Sequence, residues 1–180
     1  MNYFVADCHL GHDNIRKYCH RPFASVEEMD ETIITNWNAC VKSNDTVYSL
    51  GDLSFHPENY INKLNGKKCI ILGNHDCKRH RYVHDSILWV DTLKTVSING
   101  FPIVLCHYPL AIWDRCHYDA WHMYGHTHVM RDATVGKSLN VGVDLHDFKP
   151  WSFDEIEATM DTKPHHPSYI AIHEAEPRTD

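Results

Sequence analysis

Five times along this chain a short, mostly apolar run stops at a cluster of His, Asp or Asn. Residues 3–6 end in Asp7-Cys8-His9, and residues 46–50 end in Gly51-Asp52. Residues 69–72 lead into Gly73-Asn74-His75-Asp76, 102–106 into His107, and 121–124 into Gly125-His126-Thr127-His128. Runs of four or five such residues have the length of buried strands and are too short for helices. Each predicted strand therefore delivers polar, metal-ligating side chains at its C-terminal end. In an open α/β sheet the loops along that edge converge on one crevice.

The segments between the runs read mainly as helices. Ser25 followed by Glu28 is a capping-box signature, and it opens a periodic stretch through Met29, Ile33, Ile34, Trp37 and Val41. Shorter helices are expected at 14–18 and 60–64, and another at 153–160 behind Ser152. Residues 92–98, Asn99-Gly100 and 102–106 have the pattern of a β-hairpin, and 139–143 that of a further strand. The expected fold is α/β: a layered arrangement of mixed β-sheets flanked by helices, with the metal site at the C-terminal ends of strands. One domain is expected over 1–161, with 162–180 a C-terminal tail or edge segment rich in Pro, His and acidic residues. Trp37 and Trp121 fit core positions, Cys8 is expected to turn away from its neighbours into the sheet, and His165, His166 and His173 are expected at the surface.

Composition narrows the function. The chain has 17 basic and 24 acidic residues, a formal net charge of −7, which disfavours an extended nucleic-acid surface. Seven cysteines, with no CxxC pair among them, predict reduced thiols rather than a disulfide framework. The apolar runs are far below bilayer length, and Asp7 follows the first residues too closely for a signal peptide, so a cytoplasmic protein with no membrane association is expected.

Sixteen histidines are notable for where some of them stand. Asp7 and His9, and again His126 and His128, alternate across one residue, which in extended backbone puts both side chains of a pair on one face. Asp52 offers a carboxylate whose two oxygens can serve two ions, Asn74 a neutral amide oxygen and His107 an imidazole. Such a mixed N/O set suits borderline divalent ions such as Mn²⁺, Fe²⁺ or Zn²⁺ better than Mg²⁺ or Ca²⁺; two divalent ions are expected, Mn²⁺ first among them.

In order and spacing, Asp-x-His, Gly-Asp, Gly-Asn-His-Asp, a single His and Gly-His-Thr-His resemble the motifs of the calcineurin-like metallophosphoesterases, over most of the chain from Asp7 to His128. The stretches Leu10–Ile15, Arg21-Pro22-Phe23 and Asn140-Val141-Gly142-Val143-Asp144 look like a compact bacterial and phage branch of that family. The resemblance implies that Asp7, His9 and His128 hold a first divalent ion, that Asn74, His107 and His126 hold a second, and that Asp52 bridges them. It implies hydrolysis of phosphomonoesters or phosphodiesters by a metal-activated hydroxide, with His75 as general acid and Asp76 as its partner. A non-catalytic metal-binding scaffold on the same fold is the alternative.

His12, Asn14 and Arg21 are candidates for contact with substrate phosphate, against helix-capping and structural roles. Arg79, His80 and Arg81 could form a basic rim. No long insertion separates the motifs, so the site is expected to be open at the sheet edge. A nucleotide or cyclic nucleotide is among the substrates such a site would accept, and the hairpin and tail offer an edge for a homodimer.

Overall fold

The computed structural model describes residues 1–76, 81–130 and 133–169. Nine strands build two sheets. The first comprises β1 (Asn2–Val5), β2 (Thr46–Leu50), β3 (Lys67–Ile71), β4 (Ile87–Asp91) and β9 (Trp151–Ser152), in the order β4-β3-β2-β1-β9. Strands β1 to β4 run parallel, and β9 closes the edge antiparallel to β1. The second sheet is β5 (Leu93–Ile98), β6 (Phe101–Cys106), β7 (Trp121–Tyr124) and β8 (Ser138–Asn140), in that order. Its first pair is the expected hairpin about Asn99-Gly100, both with positive φ, and β6, β7 and β8 are parallel.

The first sheet is buried on both faces, which explains why its strands read as apolar runs. Tyr3, Val5, Val47 and Ile70 pack beneath α2 (Val26–Cys40) against its Met29, Ile33 and Trp37. Phe4, Leu50 and Ile71 face the second sheet and meet Ile103, Leu105, Trp121 and Met123. Phe153, Ile156 and Met160 of α3 (Phe153–Thr162) seal that layer. Each fully buried side chain of this kind contributes about 1.5–3 kcal/mol. Trp37 and Trp121 are core residues as expected, at 0% and 4% exposure. The short helix before the first long one is α1 (Asp13–Tyr18).

Several expectations change. Residues 60–64 do not form an α-helix; two 3₁₀ turns, Pro57–Asn59 and Ile61–Lys63, take their place. The buried amine of Lys68 donates to the carbonyls of Ile61 (3.2 Å) and Leu64, the acceptors that a continuing helix would have used. Strand β4 was not foreseen, because only Thr92 separates it from β5 and no Gly or Pro marks the passage between sheets. The last parallel strand stops at Asn140 rather than Val143: the Asn140 side chain accepts from Gly142 N at 2.8 Å and turns the chain into a 3₁₀ turn, Val143–Leu145. Strand β9, two residues long, falls below what periodicity can show.

Ser25 caps α2 by accepting from Glu28 N, but the Glu28 carboxylate accepts from Ala24 N at 2.7 Å instead of closing a box; the full capping box forms at Ser152 and Glu155. His166 is buried rather than on the surface, with Nε2 donating to Ala111 O at 2.9 Å and its ring edge-on to Trp113. His165 is half-exposed beside Asp119, and His173 lies outside the described residues. Among the described residues no helix is long and apolar enough to cross a membrane.

Candidate metal centre

Because β1, β2 and β3 are parallel, as are β6, β7 and β8, their C-terminal ends gather along one rim. Backbone hydrogen bonds tie the ends together: Asp7 N to Gly51 O at 3.0 Å, His9 N to Asp52 O at 2.9 Å, and Gly125 N to His107 O at 2.9 Å. Val143 N reaches Ala6 O at 3.0 Å and brings in the end of β8.

The two Asp-x-His and His-x-His pairs converge by a different route from the extended alternation expected of them. Asp7, His9, Asp52, His126 and His128 have φ of 58°, 52°, 56°, 69° and 46°, all left-handed. Non-glycine residues in that region are uncommon and concentrate at functional sites. In both pairs a kink at each ligand, not the pleat of a strand, aims the side chain.

Each buried carboxylate divides its work. Asp52 Oδ1 accepts from His75 N at 2.9 Å, while Oδ2 lies 3.6 Å from His9 Nε2 and 3.5 Å from His107 Nε2. Asp7 Oδ2 accepts from His126 N at 2.8 Å. Its Oδ1, like His9 Nε2, is buried with no hydrogen-bond partner among the described residues. Asn74 Oδ1 sits 3.1 Å from both His107 Nε2 and His126 Nδ1. Two ligand rings have their tautomers set from behind. His107 Nδ1 donates to Leu50 O at 2.8 Å and His128 Nδ1 to Asp144 Oδ2 at 2.9 Å, which leaves the Nε2 lone pair of each ring for an ion. Close approach is needed here: a Cβ on Gly125 would lie 2.7 Å from Asp7 Oδ2, and one on Gly51 would meet the His107 ring.

This donor set fits divalent ions. Asp7, His9 and His128 each offer one atom, all within 4.8 Å of one another, and Asp7, Asp52 and His107 do the same. A buried acceptor and a buried imidazole nitrogen without partners are costly unless something positive binds them. Cys19 also approaches His128 and Asp144; it packs against the helix-side core, and burial pushes its thiol up to about 11. Cys8 is buried in the helix-side core, turned away from the ligands as expected.

Electrostatics describe the same strain. Burial raises the Asp7 carboxyl to about 6, against the lowering influence of His128 and His107. Burial also lowers His9 to about 2, against Asp52. For His128 burial pulls downward, but the Asp144 hydrogen bond and the Asp7 charge raise it overall.

The remaining predicted residues divide. The His75 ring stands over the centre, 5.2 Å between centroids from His9, and His12 lies beside both, 5.4 Å from His9 and 5.9 Å from His75. His12 makes no side-chain cap to α1, which sets aside its capping role. Asn14 is exposed in the first turn of α1, and no described contact joins it to the ligands.

For Arg21 the contacts are those of the structural role weighed against phosphate contact. Its side chain is wholly buried on Asp144 and donates to Asp7 O at 2.6 Å and Cys8 O at 3.0 Å. Asp76 is likewise better described as holding the loops, since its oxygens accept from Asp52 N (2.6 Å), Gly73 N (2.9 Å) and Tyr82 OH (2.5 Å). Arg81 donates to Phe55 O, while Arg79 and His80 lie outside the described residues.

Sequence reasoning assigned no role to Asp144 or Asn140. Asn140 Nδ2 donates to Thr127 Oγ1, His128 O and Met130 O, fixing the loop that carries two ligands. Both belong to the 140–144 stretch, a polar pair flanking a buried Val-Gly-Val, which was the available signal.

No protein-family model matches the chain. It is 34% identical over 166 residues to the uncharacterized protein MJ1445 of Methanocaldococcus jannaschii, covering 86% of this chain and 88% of that one. Over 82 residues it is 38% identical to the Gene 66 protein of Mycobacterium phage L5, covering 41% and 39%. Among solved structures, a protein of unknown function from Aquifex aeolicus, AQ665, superposes with a TM-score of 0.69 at 26% identity, covering 88% of this chain and 98% of that one.

Proposed function

We propose that this chain, which belongs to the same family as the Methanocaldococcus jannaschii protein MJ1445 and carries motifs resembling those of the calcineurin-like metallophosphoesterases, is a phosphoric ester hydrolase dependent on two divalent metals. The observation that carries this reading is Asp52 Oδ2, between His9 Nε2 at 3.6 Å and His107 Nε2 at 3.5 Å. An oxygen so placed could serve two neighbouring sites. Asp7, His9 and His128 would hold one ion; Asn74, His107 and His126 would hold the other. One Asp7 carboxylate oxygen also lies within 4.8 Å of ligand atoms of Asp52 and His107, so that carboxylate could support both sites.

A bound pair of divalent ions supplies acidified water and neutralises charge on the phosphoryl group. The chain does the rest. Leu50 O and Asp144 accept the Nδ1 protons of His107 and His128, which turns the Nε2 of each ring toward the place the ions would take. Asp52 Oδ1 accepts from the His75 backbone N–H, and the His75 ring, 5.2 Å from that of His9 between centroids, would be near enough to give a proton to the departing ester oxygen. His12, beside His75, is a second ring placed to meet a phosphoryl oxygen. The mixed N/O donors suit borderline divalent ions such as Mn²⁺, Fe²⁺ or Zn²⁺, and Mn²⁺ is the ion used in the test.

Metal analysis of the purified protein, together with hydrolysis of bis(p-nitrophenyl) phosphate with and without Mn²⁺, tests the proposal. Bound metal with Mn²⁺-dependent release of nitrophenol is the expected result. Bound metal without turnover of this or any simple monoester would favour a scaffold, and absence of both would remove the reading altogether.

A further inference from the structure

Beside the metal centre lies a cavity of about 290 Å³ whose walls include Phe55, His56, Pro57, Arg81 and Tyr82. Its connection to the site is direct. The Phe55 ring stands edge-on to His12 at 4.8 Å and to His75 at 5.2 Å between centroids, so one aromatic ring separates the cavity from the group placed over the phosphoryl position. The floor is anchored: Tyr82, buried at 5% exposure, donates to Asp76, which in turn holds the Asp52 loop. Arg81 is fixed as well, its Nη1 donating to Phe55 O at 2.7 Å and to His56 Nδ1 at 2.9 Å, with Glu58 Oε1 at 3.6 Å.

Resting on the phosphoesterase reading above, we propose that this cavity receives the base of a nucleotide, and that the substrate is a nucleoside phosphate ester. Three features point the same way. The volume lies at the small end of ligand pockets, enough for a ring system and too little for a folded peptide. The walls combine aromatic faces with a guanidinium, the surfaces on which bases stack. With Arg81 Nη1 engaged by Phe55 O and His56, the Nε and Nη2 N–H groups of the same guanidinium are the donors that would answer the carbonyl oxygens and ring nitrogens of a base. The ring of a phosphotyrosine would leave those donors unanswered, because its sole oxygen is consumed in the ester.

The test compares adenosine 5′-monophosphate and its methyl ester with ribose 5-phosphate and its methyl ester, using Mn²⁺-loaded protein. Each pair presents the same phosphorus and differs in the base alone. The expected preference in kcat/KM for the base-bearing ester is about tenfold, and Phe55→Ala or Arg81→Ala should each erase most of it. Arg81→Ala, at a partly exposed position, guards against a Phe55 variant that fails to fold. Saturation-transfer NMR of adenosine with metal-free protein gives a reading independent of turnover, with adenine protons expected to respond in the wild type and not in Phe55→Ala. A wild-type preference near one, a preference untouched by both variants, or faster turnover of phosphotyrosine than of adenosine 5′-monophosphate would overturn the proposal. If no ester is turned over, the phosphoesterase reading fails and adenosine binding alone decides the cavity.

Discussion

Arg21 grips Asp144 at two points, Nε to Oδ1 at 2.7 Å and Nη2 to Oδ2 at 2.8 Å, across 123 positions of sequence. The same guanidinium takes the carbonyls of Asp7 and Cys8, and the same carboxylate takes His128 Nδ1. One ion pair, with side chains 0% and 3% exposed, therefore fastens the first ligand motif to the last.

Removing one partner of such a pair strands a buried charge. Arg21→Met is expected to destabilise the fold by about 3–5 kcal/mol, read as a lower midpoint in urea unfolding. Arg21→Lys should recover little, because an ammonium cannot make the two-point contact and reach both carbonyls. Stability within 1 kcal/mol of the wild type, on the order of a surface-pair effect, would show that the brace is dispensable.

On the two-metal reading proposed above, Asp144 would act on the metals through His128, whose Nδ1 it holds. Asp144→Asn is expected to weaken the Asp7–His9–His128 site about 10–100-fold, measured by Mn²⁺ titration calorimetry, while the site at Asn74 is affected less. Equal weakening of both sites would mean that the substitution disturbs the whole rim.

His75 should separate binding from chemistry. Its backbone N–H, not its ring, holds Asp52, so His75→Ala leaves that hydrogen bond in place. Metal content is expected to stay at wild-type level while kcat falls about 100- to 10,000-fold. Unchanged kcat would take the imidazole out of the mechanism.

His122 gives the fold a pH dependence away from the metal rim. Its ring is fully buried, with Nδ1 donating to Val104 O at 3.0 Å and Nε2 accepting from Leu110 N at 3.1 Å, a pattern only the neutral imidazole satisfies. Burial lowers it to about 4 from an ordinary 6.5. The unfolded chain thus binds a proton in this interval that the folded chain refuses. The stability owed to the neutral ring is complete above about pH 6.5 and is lost as pH falls toward about 4, a change of about 3 kcal/mol. Urea midpoints taken from pH 7.5 to 4.5 should fall more steeply for the wild type than for His122→Gln. Parallel curves would assign the acid sensitivity to other groups.

The sequence made the convergence of ligands legible because strand ends in a parallel sheet share an edge, whatever the loops do. Asp7, His9, Asp52, Asn74, His107, His126 and His128 meet for that reason. The local geometry was not legible: the i, i+2 spacing of Asp7 and His9 suggested a pleated strand, while both residues are left-handed. Positive φ at Asp or His leaves no mark in composition, since it is imposed by contacts from other strands. Arg21 shows the same limit, because only its partner 123 positions away distinguishes a buried brace from an anion contact. The Thr92 passage between sheets was hidden for a simpler reason, the lack of any turn residue.

The left-handed backbone at five of the ligands has a consequence for how ions are taken up. An L-residue held there is disfavoured by about 1–2 kcal/mol, so the fold keeps these loops in a shape they would not choose alone. The packing of the two sheets supplies that constraint. On the two-metal reading, ions would meet side chains already aimed by the chain itself, in a mould the fold has cast. Glycine at Asp7 or Asp52 would relax that mould and remove its ligand together, so in this protein a looser backbone and a working site are mutually exclusive.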